Sequence, residues 1–343
     1  MVSVNNPVLP KGSLILVTGA NGFIASHVIE VLLSSGYKVR GTSRSAAKLD
    51  NLKKRWEEKF PGQFEVAEVP DILKEGAYDE AIKGVAGVAH VASNVSFSPK
   101  YDEVVRDAVE GTLEALRAAH KTPSVKRFVL TSSIVAVGQP GPDAHYAADH
   151  FHYDAIKAAK ATPDDAPEKG GLVYAASKTE GELAAWKFVQ ENKPSFTFNA
   201  VLPAFTLGEI LDDKSQSGST AGMLKTIFLK QSDAIMKSFG GVEFTSVRDV
   251  AVLHLAGLVE PSISNARLIS SPHPSSWNEV LAIFRKLYPN RDFYPDTDSG
   301  ETEPNSRSYD LTASEDALHK VGQQDWVPLE DCIKENVAPF AEA

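Results

Sequence analysis

The chain of 343 residues is poor in sulfur, with three methionines and the single cysteine Cys332. One cysteine can form neither an intramolecular disulfide nor a multi-cysteine metal site, a usage typical of a reducing compartment. The opening stretch MVSVNNPVLPKGS has no charged leader followed by an apolar run, so it predicts no secretory signal. We therefore expect a cytoplasmic protein that can do redox chemistry only with a bound cofactor.

Long apolar runs are also missing. The most apolar stretch, residues 14–33, is interrupted by Asn21, His27, Glu30 and two glycines, which is too polar for the centre of a bilayer. The chain carries 35 Lys and Arg against 45 Asp and Glu, a net charge of −10 that repels nucleic acid and anionic lipid. Neither a membrane nor a nucleic acid is an expected partner.

Short apolar segments alternate with amphipathic ones. Segments rich in Val, Ile, Leu and Phe predict strands at 14–18, 38–42, 64–69, 87–91, 128–132 and 196–202. Helical patterns lie between them at 23–34, 46–59, 101–119 and 174–191. This alternation predicts an α/β protein with a doubly wound parallel sheet, the Rossmann fold, and a smaller C-terminal mixed α/β lobe.

The alternation of apolar and amphipathic segments is interrupted in two places, and these interruptions suggest the domain limits. Residues 138–171 are rich in Pro, Gly, Asp and His and predict a long excursion from the sheet, while the chain after Pro203 becomes irregular. We expect a cofactor domain over 1–203, which also receives a strand and a helix from about 241–262. Residues 204–343 would mainly form the substrate-binding lobe.

The first predicted strand runs into a glycine turn and then a helix. Gly19, Gly22 and Ala25 follow the spacing in which one glycine allows the turn, the next admits a pyrophosphate and a third small residue packs helix on strand. Free N–H groups at the start of the helix would meet the phosphates, and Asn21, Phe23 and Ile24 complete the predicted contact. The alternative is a turn with only a structural role.

The end of the second strand has no acidic residue. Sites for NAD usually place a carboxylate there to bind the ribose 2′-hydroxyl, but no Asp or Glu occurs between Glu30 and Asp50. Arg40, Arg44 and Lys48 lie in the region instead, and such cations match a 2′-phosphate. The sequence thus favours NADPH over NADH, with a merely solvated start of a helix as the alternative.

Two segments fit Tyr-x-x-x-Lys, one at Tyr153 and one at Tyr174. Only Tyr174 precedes a long helical pattern followed by a strand, so we predict that Tyr174 and Lys178 are catalytic and that the Tyr153 segment is a surface turn. Upstream, Thr131, Ser132 and Ser133 end a buried strand at the edge where doubly wound sheets bind ligands.

These residues suggest a proton donor beside a nicotinamide. Tyr174 would protonate a carbonyl oxygen, Ser133 would hydrogen-bond that oxygen, and hydride would come from the reduced cofactor. Lowering a phenol pKa by two or three units takes roughly 3 to 4 kcal/mol. A unit charge at 4 Å is worth about 4 kcal/mol at an effective dielectric near 20, so we expect Lys178 to depress the pKa of Tyr174.

Together, TGANGFIAS, HVAS, TSS, YAASK and NAVLP resemble the extended short-chain dehydrogenase/reductases over nearly the whole chain. The string SKTEGELAAWKF is similar to the branch of dihydroflavonol reductases and fungal NADPH-dependent aldehyde or carbonyl reductases. The resemblance implies reduction of aldehydes or ketones to alcohols with NADPH. It also implies that further cofactor contacts are Asp71, Ile72, Val91, Ala92, Ser93, Thr131, Pro203 and Phe205.

The substrate is predicted to be a small carbonyl compound, an aldehyde, a ketone or a β-keto ester, bound against a mostly apolar wall. The residues that flank the catalytic positions in sequence are Asn94, Phe97, Val135, Leu172, Ala204 and Met223. We expect no metal, since the His and Asp residues of HYAADHFHYD fit no standard spacing and predict a polar loop. The oligomeric state is open between monomer and homodimer.

Two other functions fit the same fold. A sugar-nucleotide epimerase or dehydratase would hold NAD tightly, and Arg40 with Arg44 argues against NAD. A non-catalytic NADP-binding sensor is the second alternative, but such relatives typically lack the tyrosine that is present here. Ser133, Tyr174 and Lys178 together favour the reductase.

Overall fold

The computed structural model describes residues 6–139, 144–238, 241–297 and 308–341. Residues 140–143, within the predicted excursion, and the first five residues, within the stretch used to predict that no signal is present, lie outside the described part. Within these ranges no helix is both long and apolar enough to cross a membrane.

Seven parallel strands form the large sheet. They are β1 (Leu14–Val17), β2 (Lys38–Ser43), β3 (Phe64–Glu68), β4 (Gly87–His90), β5 (Arg127–Thr131), β6 (Thr197–Pro203) and, after two strands of a second sheet, β9 (Arg267–Ser270). The order across the sheet is β3-β2-β1-β4-β5-β6-β9. The order reverses between β1 and β4, and this confirms the predicted doubly wound sheet, whose carboxyl edge at that reversal is where such folds bind ligands.

Helices cover both faces of the large sheet. The helices are α1 (Phe23–Ser34), α2 (Asp50–Lys59), α3 (Tyr101–His120), α4 (Tyr153–Ala161), α5 (Lys169–Asn192), α6 (Asp213–Gln216), α7 (Thr220–Phe228), α8 (Ala234–Ser238), α9 (Val247–Val259), α10 (Trp277–Leu287), α11 (Thr312–Lys320) and α12 (Leu329–Val337). Three 3-10 turns lie at Ala46–Leu49, Ile134–Ala136 and Ala338–Phe340. One apolar core packs α1 and α9 on the sheet, and another packs α3 and α5 on the opposite face. Burial on both faces explains why the central strand β1 is apolar throughout rather than alternating.

A smaller mixed sheet lies in the C-terminal part, as predicted. It consists of β7 (Phe205–Leu207), β8 (Gly241–Ser246) and β10 (His273–Ser276), with β8 parallel to β7 and antiparallel to β10. Its core contains a cluster of aromatic rings, namely Phe228, Phe244, Trp277, Phe284 and Phe293. This smaller sheet with its helices is the expected mixed α/β lobe.

The strand expected from 241–262 for the large sheet does not join it. That strand is β8 in the small sheet, because the place beside β6 is taken by β9, whose residues are all buried. The accompanying helix, α9, does pack on the large sheet and against α1. The division of the chain at residue 203 stays a prediction.

Two helical details differ from the sequence-based predictions. The helix carrying Tyr174 begins at Lys169, five residues earlier than predicted, because the buried Lys169 Nζ donates to the carbonyls of Ala159 and Thr162 and fixes the first turn against the end of α4. The Tyr153 segment forms the first turn of α4 rather than a surface turn. It is nevertheless exposed, with Tyr153 54% accessible.

Candidate active site

The glycine turn connects β1 to α1 and packs against the segment that follows β4. Gly19 has φ +69°, and a Cβ there would lie 3.1 Å from Ala92 Cα, so any side chain would be both strained and obstructed. Gly22 caps α1 and donates its N–H to the Gly19 carbonyl at 2.8 Å. Ala25 is fully buried. The backbone can therefore closely approach a pyrophosphate at the start of α1.

A threonine hydroxyl holds this turn to the next strand of the sheet. Thr18 Oγ1 accepts hydrogen bonds from the backbone N–H groups of Val91 and Ala92, both at 3.0 Å. It lies 3.1 Å from Nδ1 of His90, which can accept the Thr18 proton. Sequence reasoning missed Thr18, although a polar residue ending a buried strand is a usable signal. The two loops predicted to bind the dinucleotide are thus fixed to each other.

The basic residues predicted to bind the 2′-phosphate, one within β2 and two after it, divide into two groups. Arg44 and Lys48 are exposed, and neither forms an ion pair with the described residues. Arg40 is used internally: its guanidinium pairs with Glu65 and donates to the carbonyls of Ala81 and Lys83 at 2.8 Å. Arg40 lies three residues before the end of β2, roughly 10 Å from the carboxyl edge. The structure therefore does not support the predicted contact of Arg40 with a 2′-phosphate, and the contacts predicted for Arg44 and Lys48 stay predictions.

The remaining predicted cofactor residues lie along the same edge. Asp71 follows β3 and accepts the Leu73 N–H at 2.9 Å, and Ile72 packs against α3. Pro203 ends β6, while the Phe205 ring packs in the lobe core and leaves only its backbone for a ligand. Ser93 lines a small cavity beside α5. Their contacts with a cofactor stay predictions.

The three predicted catalytic side chains come together where β5 ends. Ser133 caps the following 3-10 turn, and its hydroxyl lies close enough to that of Tyr174 from α5 to lower the pKa of the phenol. Lys178 lies one turn further along α5, with Nζ 5.9 Å from the centre of the Tyr174 ring. Ser133 and Lys178 are buried. The structure thus brings together two segments about forty residues apart, and the catalytic roles of these three side chains stay predictions.

The pKa of Tyr174 differs from the expectation. Burial raises the pKa of Tyr174, and the neighbouring Ser133 hydroxyl opposes the rise. The Lys178 ammonium, 5.9 Å from the centre of the ring, does not lower this pKa. Burial lowers the pKa of Lys178 to about 8, with Glu182 opposing. The prediction that one lysine depresses the phenol pKa is therefore wrong for this structure, because desolvation outweighs it. At neutral pH Tyr174 stays protonated, the state that a proton donor needs.

Several predicted substrate residues lie beside this site. The ring of Phe97 packs on that of Tyr174, with centroids 5.1 Å apart, and is 49% exposed. Val135 lies in the 3-10 turn after Ser133. Asn94 donates to Asp107 at 3.2 Å and accepts from the Ser96 N–H, so its amide is already engaged. Ala204 is buried after β6 and Met223 is half-buried on α7.

Two predicted residues are directed elsewhere. Leu172 packs with Val104 and Ala159 between α3 and α4, because the longer α5 turns this residue toward those helices. The Thr131 hydroxyl lies 2.7 Å from Nε2 of the buried His254 on α9 and is engaged by that ring. A pocket role for Leu172 and a hydroxyl contact from Thr131 to the cofactor are not supported.

The histidine-rich segment is held to the backbone. His150 Nδ1 lies 2.6 Å from the Val137 carbonyl, and His152 Nδ1 lies 2.9 Å from the Val135 carbonyl. No group of three or more potential metal ligands occurs in the part of the chain that the structure describes. Through these two contacts, His150 and His152 hold the histidine-rich segment against the 3-10 turn that follows Ser133.

A family model for the NAD dependent epimerase/dehydratase family matches residues 15–265. The chain belongs to this family. The resemblance to the extended short-chain dehydrogenase/reductases is thereby confirmed. Aldehyde reductase 2 of Sporidiobolus salmonicolor is 52% identical over 341 residues, which cover 98% of each chain. A ketoreductase of Penicillium rubens is 37% identical over 346 residues, covering 98% of this chain and 99% of the relative.

Solved structures of the family show the same fold. The crystal structure of yeast methylglyoxal/isovaleraldehyde reductase Gre2 complexed with NADPH matches with a TM-score of 0.79 and 25% identity. The match covers 96% of this chain and 98% of that one. The likeness therefore extends through the C-terminal lobe as well as the large sheet.

Proposed function

We propose that this family member is an NADPH-dependent carbonyl reductase that converts aldehydes and ketones into alcohols. The observation that carries the proposal is the juxtaposition of Ser133 and Tyr174, with Lys178 one turn away, at the carboxyl edge of the sheet. The 52% identical relative named an aldehyde reductase and the NADPH-bound Gre2 structure support the same chemistry.

The residues at the sheet edge fit NADPH. The turn from Gly19 to Gly22 would hold the pyrophosphate, since neither glycine carries a side chain of its own that would stand between the backbone and a ligand. Arg44 and Lys48 would hold the 2′-phosphate, since both are exposed and without ion pairs among the described residues. When bound, NADPH supplies the hydride that the carbonyl carbon receives.

The side chains around Tyr174 handle the proton. Tyr174 gives its phenolic proton to the carbonyl oxygen, which becomes the hydroxyl of the product, and Ser133 hydrogen-bonds that oxygen as charge develops on it. The charged Lys178, whose Nζ lies 5.9 Å from the ring, is the cation one helical turn from the phenolate that proton transfer leaves, although it does not lower the pKa of Tyr174 before the reaction. The proton donor starts protonated because burial keeps the pKa of Tyr174 high.

The substrate class follows from the apolar surroundings. Phe97, Val135, Ala204 and Met223 present no charged group to a ligand. Such a wall suits aldehydes, ketones or β-keto esters that carry no phosphate or nucleotide. A substrate of this kind would be oriented by its carbonyl oxygen between Ser133 and Tyr174.

NADPH and NADH oxidation measured against a panel of aldehydes, ketones, β-keto esters and sugar nucleotides tests the proposal. We expect turnover of carbonyl compounds with NADPH and a much lower rate with NADH. Epimerisation of a sugar nucleotide without net cofactor oxidation would favour the alternative within the family. Binding of NADPH with no turnover of any carbonyl compound would favour a sensor.

We further propose that the enzyme acts in the cytoplasm, as a monomer or a homodimer. The single cysteine, Cys332, is buried and fits a reducing compartment. Light scattering coupled to gel filtration would give the oligomeric state. A mass greater than that of two copies of the 37.0 kDa chain would contradict the proposed monomer or homodimer.

A further inference from the structure

A buried ion pair lies one helical turn beyond Lys178. The Glu182 carboxylate accepts from Arg267 Nε at 2.6 Å and from Nη2 at 3.1 Å. The Glu182 side chain is 0% exposed and the Arg267 side chain is 6% exposed. Removing two charges from water costs several kcal/mol per ion unless further hydrogen bonds satisfy both groups. The remaining partners of the pair are therefore informative.

The carboxylate has two further donors. Ser132 Oγ donates to Oε2 of Glu182 at 2.6 Å, and the Trp186 indole donates to Oε1 at 3.0 Å. Ser132 directly precedes Ser133 at the end of β5, whereas Glu182 belongs to the helix that carries Tyr174 and Lys178. The contact thus joins the two segments that supply the catalytic side chains.

The guanidinium connects the pair to a third segment. Arg267 Nη1 donates to the carbonyls of Ala148 and His150, both at 2.6 Å, and the guanidinium lies 4.0 Å from the centre of the Phe151 ring. The same segment is held from the other side through His150 and His152, which contact the turn after Ser133. Residues 144–152 are therefore fixed to both halves of the site.

We propose that Glu182 and Arg267 act as a positioning pair that holds Ser133 in register with Tyr174 and Lys178 and fixes residues 144–152 beside them. Neither residue touches the reacting atoms. The inference rests on the proposed reductase function, because its effect is on the geometry of that proton donor.

Glu182 also acts on Lys178 through its charge. Both line a small cavity, and the negative carboxylate raises the pKa of Lys178 while burial lowers that pKa to about 8. Two further titratable groups lie near Lys178, namely Tyr174 on its own helix and His90 on β4. Burial lowers the pKa of His90 to about 3, so His90 is neutral. The neighbouring elements α3 and β5 present uncharged residues to the cavity, namely Ala108, Thr112, Leu130, Thr131 and Ser132.

The test is the nearly isosteric substitution Glu182→Gln, with kcat and KM measured across pH. We expect kcat to fall roughly tenfold to a hundredfold, because the catalytic groups lose their fixed register, with KM for NADPH little changed. The decline of kcat at alkaline pH should move to lower pH, because Lys178 loses a nearby negative charge. Glu182→Asp keeps the charge and should keep the alkaline decline near its wild-type position.

Arg127 offers a matched control for Arg267. It is also a buried arginine at the start of a strand, and it donates to the carbonyls of Ile263 and Glu260 away from the carboxyl edge. Arg127→Lys should lower stability without changing kcat or the pH profile. Arg267→Lys should lower kcat, because an ammonium cannot make the simultaneous hydrogen bonds that the planar guanidinium makes to Glu182 and to residues 144–152.

If Glu182→Gln does not fold, the double variant Glu182→Gln with Arg267→Gln removes both buried charges and leaves neither uncompensated. We expect this variant to fold, with lowered kcat and the shifted alkaline decline. Wild-type kcat and an unmoved decline in either variant would overturn the inference. Absence of carbonyl reduction by the wild-type enzyme would instead contradict the proposed function.

Discussion

The Arg40 guanidinium lies 2.6 Å from the Glu65 carboxylate across β2 and β3, and this contact excludes Arg40 from the cofactor edge. Its remaining donors reach the backbone carbonyls of Ala81 and Lys83. These contacts engage all three nitrogens of the guanidinium. Under the proposed function, selection for the 2′-phosphate would therefore depend on Arg44 and Lys48, which follow β2.

Substituting the two arginines separately should distinguish their roles. Arg44→Ala should raise KM for NADPH roughly tenfold or more, because a charge-assisted hydrogen bond is worth about 1.5 to 3 kcal/mol, and should leave KM for NADH unchanged. Arg40→Met should lower the melting temperature and keep the ratio of NADPH to NADH rates. Initial rates with both nucleotides give the result, and a preference lost only with Arg40→Met would contradict the assignment.

Gly19 can be tested against Gly12, which also has positive φ but has nothing within 4 Å of the position that a Cβ would take. Gly12→Ala should cost about 1 kcal/mol of backbone strain in urea unfolding and leave KM for NADPH unchanged. Gly19→Ala carries the same strain and also meets Ala92 Cα at 3.1 Å, so it should lose more stability and raise KM for NADPH. Equal effects on the two variants would show that Gly19 has no role beyond its φ.

The rate of reduction should decrease as pH rises through about 8. Burial lowers the pKa of Lys178 to about 8, so its ammonium is charged below that pH and loses its proton above it. The phenolate left by Tyr174 then has no neighbouring cation. The measurement is kcat at saturating NADPH from neutral to alkaline pH, and Lys178→Met should remove the decline along with most of the activity. A wild-type profile that stays flat through pH 8 would contradict the role of Lys178.

Ser133→Ala should lower kcat by roughly a hundredfold, because it removes a donor to the developing oxyanion, with KM for NADPH nearly unchanged. Thr179→Val on the same helix as Tyr174 is the matched control, since the buried Thr179 hydroxyl donates only to the Ala175 carbonyl at 2.9 Å. The control should lose some stability and retain kcat. Comparable losses of kcat in both variants would indicate a general effect of removing buried hydroxyls.

The large sheet could be predicted well because burial on both faces leaves a simple signal. Strand β1 is a continuous apolar run and β6 is mostly apolar, and the limits of both agree with the prediction to within about a residue. The short strand β9 escaped prediction, since it holds four residues and begins with an arginine whose partner, Glu182, is distant in sequence. The placement of β8 could not be predicted either, because β9 occupies the edge of the large sheet beside β6. Which strand takes that edge depends on tertiary packing rather than on local sequence.

The proximity of Tyr174, Lys178 and Ser133 could be predicted from context, but the direction of the Tyr174 pKa shift could not. The helix and strand around Tyr174 distinguished it from Tyr153, and the structure brings Tyr174 to Ser133. The direction of the Tyr174 pKa depends on desolvation, which residue spacing does not contain. Arg40 was misassigned for a similar reason, since the direction of its side chain depends on the pleat and on Glu65 in the next strand.

The proton donor is the central claim, and Tyr174→Phe tests it most directly. Single-turnover oxidation of NADPH by a reactive aldehyde should be measured for the wild-type enzyme and this variant, together with the dissociation constant for NADPH. We predict a loss of about two to four orders of magnitude in rate, the usual contribution of a general acid, with NADPH binding unchanged. A variant that oxidises NADPH at near the wild-type rate would contradict the account.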